Sequence, residues 1–105
     1  MRLRYHISQY SDEAKLIIDE ADIYKADLTL LHETVEELRS SAEALCDLTL
    51  PEHAIAVGIN QLADAVEKKE RNLFKQYQDF YSEHYQVVAR EETVLLIAEH
   101  AEVSA

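Results

Sequence analysis

Thirteen successive heptad positions in the first half of this chain are apolar: Leu3, Ile7, Tyr10, Ala14, Ile17, Ala21, Tyr24, Leu28, Leu31, Val35, Leu38, Ala42 and Leu45. The steps between them alternate four, three, four, three without a slip. Such a run specifies a long helix with a narrow apolar seam, which packs lengthwise against another helix. The seam needs a partner, and the rest of the chain supplies a candidate. Ile59, Val66, Leu73, Phe80, Val87, Val94 and Ala101 repeat every seven residues in the second half. The alternate seam positions there are poorer: Ala63, Glu70, Tyr77, His84, Glu91 and Ala98.

One glycine and one proline in 105 residues leave little room for the turns that strands would need. The expected fold is therefore all-α, an antiparallel two-helix hairpin of coiled-coil type. It forms a single domain over residues 1–105, with no internal repeat or linker. Helix 1 is expected over about 8–48, the turn at about 49–51 and helix 2 over about 51–101. The break falls at Thr49-Leu50-Pro51-Glu52. Proline disfavours helix in the residue before it, so Leu50 is expected to be extended and Pro51 to take the first helical position. A short connection folds the helices back on each other. Residue i of helix 1 should then lie near residue 100 − i of helix 2, to within about a turn. Gly58 marks either a kink or a close approach of the helices.

The start of helix 1 can be read in two ways. Leu3, Tyr5 and Ile7 alternate with Arg2, Arg4 and His6, as in a strand, yet Leu3, Ile7 and Tyr10 also continue the heptad. The register favours helix. Failing that, Ser11 followed by Asp12 and Glu13 is a good helix start, with a capping hydroxyl and two acids at the positive end of the dipole.

Two apolar stripes stand outside the seams. Leu16, Ile23 and Leu30 run one position before the seam of helix 1; Phe74, Tyr81, Val88 and Leu95 run one position after that of helix 2. A two-helix hairpin has no third layer to bury them, and contiguous exposed apolar surface of this kind marks an interaction site. The expected partner interface is Leu16, Ile23, Leu30, Phe74, Tyr77, Phe80, Tyr81, Val88 and Leu95. A second copy would complete a four-helix bundle. The alternative is a break near Gly58 or Ser82, giving a three-helix monomer that buries the same residues.

The formal net charge is −11, from 10 basic and 21 acidic residues, and helix 1 carries most of it. Such a charge repels nucleic-acid phosphates and anionic lipid and steers basic partners inward. Lys68, Lys69, Arg71 and Lys75 form the one basic cluster; Lys68, Arg71 and Lys75 share a helix face, where pairing across the hairpin with Asp27, Glu33 or Glu36 is expected. Lone Cys46 permits no internal disulfide and is expected to be half-buried beside Leu45. No stretch is long and apolar enough to cross a bilayer, and Met-Arg-Leu-Arg-Tyr-His lacks a signal-peptide core. A cytoplasmic location, or leaderless export, is expected.

No catalytic constellation is present: there is no phosphate loop, zinc spacing or nucleophile elbow. His32 and Glu36 stand at i, i+4, but no Glu-x-x-His pair supports a helical di-metal site, and no metal or cofactor is expected. His84 and Glu91 are polar seam positions of the kind that fix register.

The expected function is that of a small acidic protein-interaction module, an adaptor, targeting factor or secretion-type chaperone, not an enzyme. It acts by helix–helix association with a protein partner, as homodimer or hetero-complex. One alternative is an acidic inhibitor that mimics nucleic acid, using Asp12, Glu13, Asp19, Glu20, Asp27 and Glu33. In length, hairpin outline and lack of a leader the chain also resembles the WXG100 secreted hairpins. Ala56-Val57-Gly58 stands where that family has Trp-x-Gly, and there is no Tyr-x-x-x-Asp/Glu near the C-terminus. That resemblance implies leaderless secretion.

Overall fold

The structure, a computed structural model, describes the backbone of residues 2–47 and 50–104, and the side chains of residues 2–47 and 53–102. A short 3-10 turn, Ile7–Gln9, precedes two long helices, α1 (Asp12–Cys46) and α2 (Leu50–Ser104). No strand occurs among the described residues. The chain is an all-α helical hairpin whose two helices pack against each other.

The first ten residues do not continue α1, which corrects the helical reading of that segment. The Ile7–Gln9 turn closes on itself: the Ser8 N–H donates to His6 Nδ1 (3.2 Å), and the His6 N–H donates to Gln9 Oε1 (3.1 Å). Tyr10 is then extended (φ −93°, ψ 155°), which ends the turn. Ser11 starts α1 as an N-cap. Its hydroxyl accepts from the Ala14 N–H (3.2 Å) and its carbonyl from the Lys15 N–H (2.9 Å), with Asp12 and Glu13 in the first turn. Local capping at Ser11 thus outweighs the heptad register of Leu3, Ile7 and Tyr10.

α2 begins at Leu50, so Leu50 is helical rather than extended and Pro51 lies in the first turn, where its missing donor costs nothing. The turn residues Leu48 and Thr49 lie outside the described residues. α2 runs unbroken through Gly58 and Ser82, so the three-helix alternative does not arise. Gly58 is exposed, its φ is not positive, and a Cβ built on it meets nothing within 4 Å. It therefore marks no close approach of the helices.

The chain divides into two compact units. The first joins Met1–Ile23 to Tyr77–Ala105. Its core is Tyr10, Ala14, Ile17, Ile18 and Ala21 from the N-terminal side, with Phe80 and Val88 from α2. Ser11 meets Glu91 and Tyr10 meets Glu92, so here residue i pairs with residue 102 − i. The N-terminal segment is a third layer in this unit. The Arg4 N–H donates to Glu92 Oε1 (3.4 Å), the Tyr10 hydroxyl donates to the same oxygen (2.7 Å), and the Tyr5 hydroxyl donates to Glu99 Oε2 (3.0 Å). Glu92 and Glu99 each lie one helical turn beyond a stripe residue, Val88 and Leu95. In this unit Val88 (1% exposed) and Ile18 (2% exposed) are the largest fully buried side chains.

The second unit is Tyr24–Gln76. Its fully packed residues are small: Val35 and Ala42 from α1, Ala56 and Ala63 from α2. Half-buried Leu28, Leu31, Leu38 and Leu45 alternate with them along α1, and Ile59, Val66 and Leu73 along α2. Large and small side chains thus interleave along the seam. His32 meets Glu70 in this unit, again at 102 − i. Cys46, at the end of α1, is exposed rather than half-buried.

Candidate functional site

The residues expected to form a partner interface do not stay together. In the first unit Leu16 is 70% exposed and Ile23 62% exposed. Tyr81 is exposed at the edge of α2, with its ring 4.8 Å from Tyr85 and 6.2 Å from Tyr77; Tyr77 and Leu95 are half-buried. Phe80 and Val88 are buried and leave the set of accessible residues. Phe80 is a seam residue, its ring 4.8 Å from His84, and Val88 lies on the stripe that the N-terminal segment follows.

In the second unit Leu30 and Phe74 are both exposed, but they border different grooves. Leu30 lines one with Asp27, Lys69 and Gln76. Phe74 lines the other with His32, Glu36, Glu67 and Glu70. The two stripes therefore lie on opposite flanks of the hairpin in this unit, not on one surface.

The polar contacts also differ from expectation. In the first unit Glu91 bonds Ser11 across the hairpin, and Glu92 and Glu99 tie down the N-terminal segment. Burial, and then donation to Glu92, push the Tyr10 hydroxyl above its ordinary pKa. Desolvation and the bond to Glu99 do the same for Tyr5.

In the second unit the cations come from α1 and the acids from α2. Arg39 bonds Asp64 (2.9 Å) and Glu67. Those two carboxylates, Glu67 first, hold the guanidinium above its usual value. His32 faces a carboxylate at each ring nitrogen: Nε2 is 3.1 Å from Glu36 and Nδ1 is 3.3 Å from Glu70. Lys68, Arg71 and Lys75 make no ion pair among the described residues, so the expected pairing with Asp27, Glu33 or Glu36 is replaced by the contacts of Arg39 and His32. All of these groups are at least partly exposed, so each pair contributes little energy and serves mainly to set alignment.

Among the described residues no group of three or more His, Cys, Asp or Glu side chains is arranged to hold a metal ion. Nor is any described helix long and apolar enough to cross a membrane. No family model, curated protein or solved structure matches the chain.

The residues missed from the sequence are Ile18, Arg39, Glu92 and Glu99. Ile18 had a readable signal: it follows the seam residue Ile17 by one position, as Val88 follows Val87. Glu92 and Glu99 had none of their own, because their role depends on an irregular segment distant in sequence.

Proposed function

We propose that this protein is a small acidic interaction module that works by helix–helix association, with a second copy of itself as the simplest partner. The observation that carries this reading is the exposure of Leu16 and Ile23 on α1 beside the buried seam residues Ala14, Ile17 and Ala21. The N-terminal segment is bonded along the Val88 side of α2, while the α1 column of Leu16 and Ile23 has no cover. Large apolar side chains so exposed each forgo about 1–2 kcal/mol of burial free energy. Their seven-residue spacing puts them on one side of α1, where the equivalent column of another helix can interdigitate. Two hairpins joined in this way form a four-helix bundle. The role is binding, with no turnover.

Replacing both residues, Leu16→Asp with Ile23→Asp, tests the reading. Both sites are exposed, so the helical circular-dichroism signal should persist. The native chain should elute at twice its 12.1 kDa mass in size-exclusion chromatography with light scattering, and the variant at the single-chain mass. A native chain that stays at 12.1 kDa at high concentration would contradict self-association.

A further inference from the structure

Leu16 and Ile23 can meet more than one surface of a second copy, and charge narrows the choice. Within one helical turn of them α1 carries Asp12, Glu13, Asp19 and Glu20, all exposed. None of these four acids makes an ion pair among the described residues. Lys15 and Lys25, the cations of this stretch, lie about a quarter turn and about half a turn round the helix from the column. The same column from a second copy would set the acids of one chain against those of the other, so like charge disfavours α1 packing on itself. The surface that receives Leu16 and Ile23 has to be apolar, exposed and not acidic.

The second unit holds such a surface. Ile55 (56% exposed) and Leu62 (54% exposed) stand seven residues apart on α2. They precede the buried seam residues Ala56 and Ala63 by one position, the offset that Leu16 and Ile23 have from Ile17 and Tyr24. Gly58 and Ala65, within a turn of Leu62, are exposed, small and uncharged. Seven residues beyond Leu62 the column continues in Lys69, which lines the groove with Asp27 and Leu30 yet makes no ion pair among the described residues. Beyond Leu30, the α1 residues with the same seam offset are Thr34, Ser41 and Ala44, with Glu37 as the one acid. Lys69 offsets that acid, so the column is close to neutral and ends in an unpaired cation.

We propose that the Leu16 and Ile23 column of one copy packs against the Ile55 and Leu62 column of a second, so that the first unit of each chain binds the second unit of the other. In a two-fold pair each chain gives both columns, and the contact is made twice. Lys69 of the receiving copy supplies a cation to the acids that border Leu16 and Ile23. This inference rests on the self-association reading and names the surface that completes it.

Sedimentation velocity tests it. The native chain should form a dimer. Ile55→Asp with Leu62→Asp, in a chain that keeps Leu16 and Ile23, should weaken that dimer about tenfold or more, as Leu16→Asp with Ile23→Asp does. Mixed together, the two double variants should associate although neither does so alone, because the mixture restores one of the two contacts. Lys69→Glu should weaken the native dimer several-fold, and Lys75→Glu, an exposed charge change on another face of α2, should leave it within about twofold. All of these sites are exposed, and circular dichroism checks that the variants stay helical. A dimer that survives Ile55→Asp with Leu62→Asp but not Leu16→Asp with Ile23→Asp would overturn this inference and leave self-association standing. So would a mixture no more associated than its components. A native chain that stays single at high concentration would overturn both.

Discussion

The Glu91 carboxylate holds Ser11 at two points, accepting from its backbone N–H and from its hydroxyl, each at 2.6 Å. The same hydroxyl oxygen accepts from the Ala14 N–H and caps α1. This clasp fixes where the helix starts, and the N-terminal segment leaves α1 there.

Ser11→Ala should therefore cost about 1 kcal/mol, the usual worth of an N-cap side chain. Glu91→Ala should cost a comparable amount. Because both remove one contact, the double variant should lose about 0.5 kcal/mol or more less than the sum of the single losses. Urea denaturation of the four proteins measures the coupling, and strict additivity would contradict the clasp.

Truncation tests the third layer. Removing residues 2–6 deletes the Arg4 and Tyr5 contacts to Glu92 and Glu99 and uncovers the surface against which Leu3 and Tyr5 are half-buried. Exposing side chains of this size costs roughly 2–4 kcal/mol in all. A matching fall in urea midpoint and a rise in binding of a hydrophobic dye are expected. An unchanged midpoint would mean that the segment covers nothing.

Tyr10 makes stability sensitive to alkali. Its folded pKa is raised by burial and by the bond to Glu92, so its contribution is fully present below the unfolded tyrosine value, near 10, and is lost as pH climbs through the folded value. Thermal melts should show stability declining above about pH 10, and Tyr10→Phe should flatten that decline. A decline of equal steepness in the variant would assign the effect elsewhere.

Gly58 sits exposed inside α2 with no positive φ and open space at its Cβ position. Gly58→Ala should stabilise the protein by roughly 0.5–1 kcal/mol through backbone entropy alone. A destabilised variant in thermal melts would reveal a contact that the helix does not show.

The seams were legible because a four-three repeat admits few other folds. Ala14, Ile17, Ala21, Val35, Ala42, Ala63 and Phe80 are buried where the repeat puts them. The helix start was half-legible: Ser11-Asp12-Glu13 carries a capping signal, but the heptad run through Leu3, Ile7 and Tyr10 competes with it. Three apolar residues in register cannot distinguish a helical turn from a segment draped across a helix.

The flank error has a geometric cause. Antiparallel helices are related by a two-fold axis, so equal offsets from the two seams share a flank and opposite offsets do not. Leu30 precedes its seam residue by one position and Phe74 follows its own by one, which places them on opposite flanks. Ile18 and Val88 both follow theirs, and both are buried on the side where the N-terminal segment is bonded. Axial position alone, which is all that the 100 − i rule supplies, cannot separate these cases.

The most direct measurement of the central claim is an isotope-filtered NMR experiment on a mixture of methyl-labelled and unlabelled protein. If the uncovered α1 column is the association surface, the Leu16 and Ile23 methyl groups should show intermolecular contacts at concentrations where the chain self-associates, while Val88 should show only contacts within its own chain. Intermolecular contacts that bypass Leu16 and Ile23, or none at any concentration, would contradict the account.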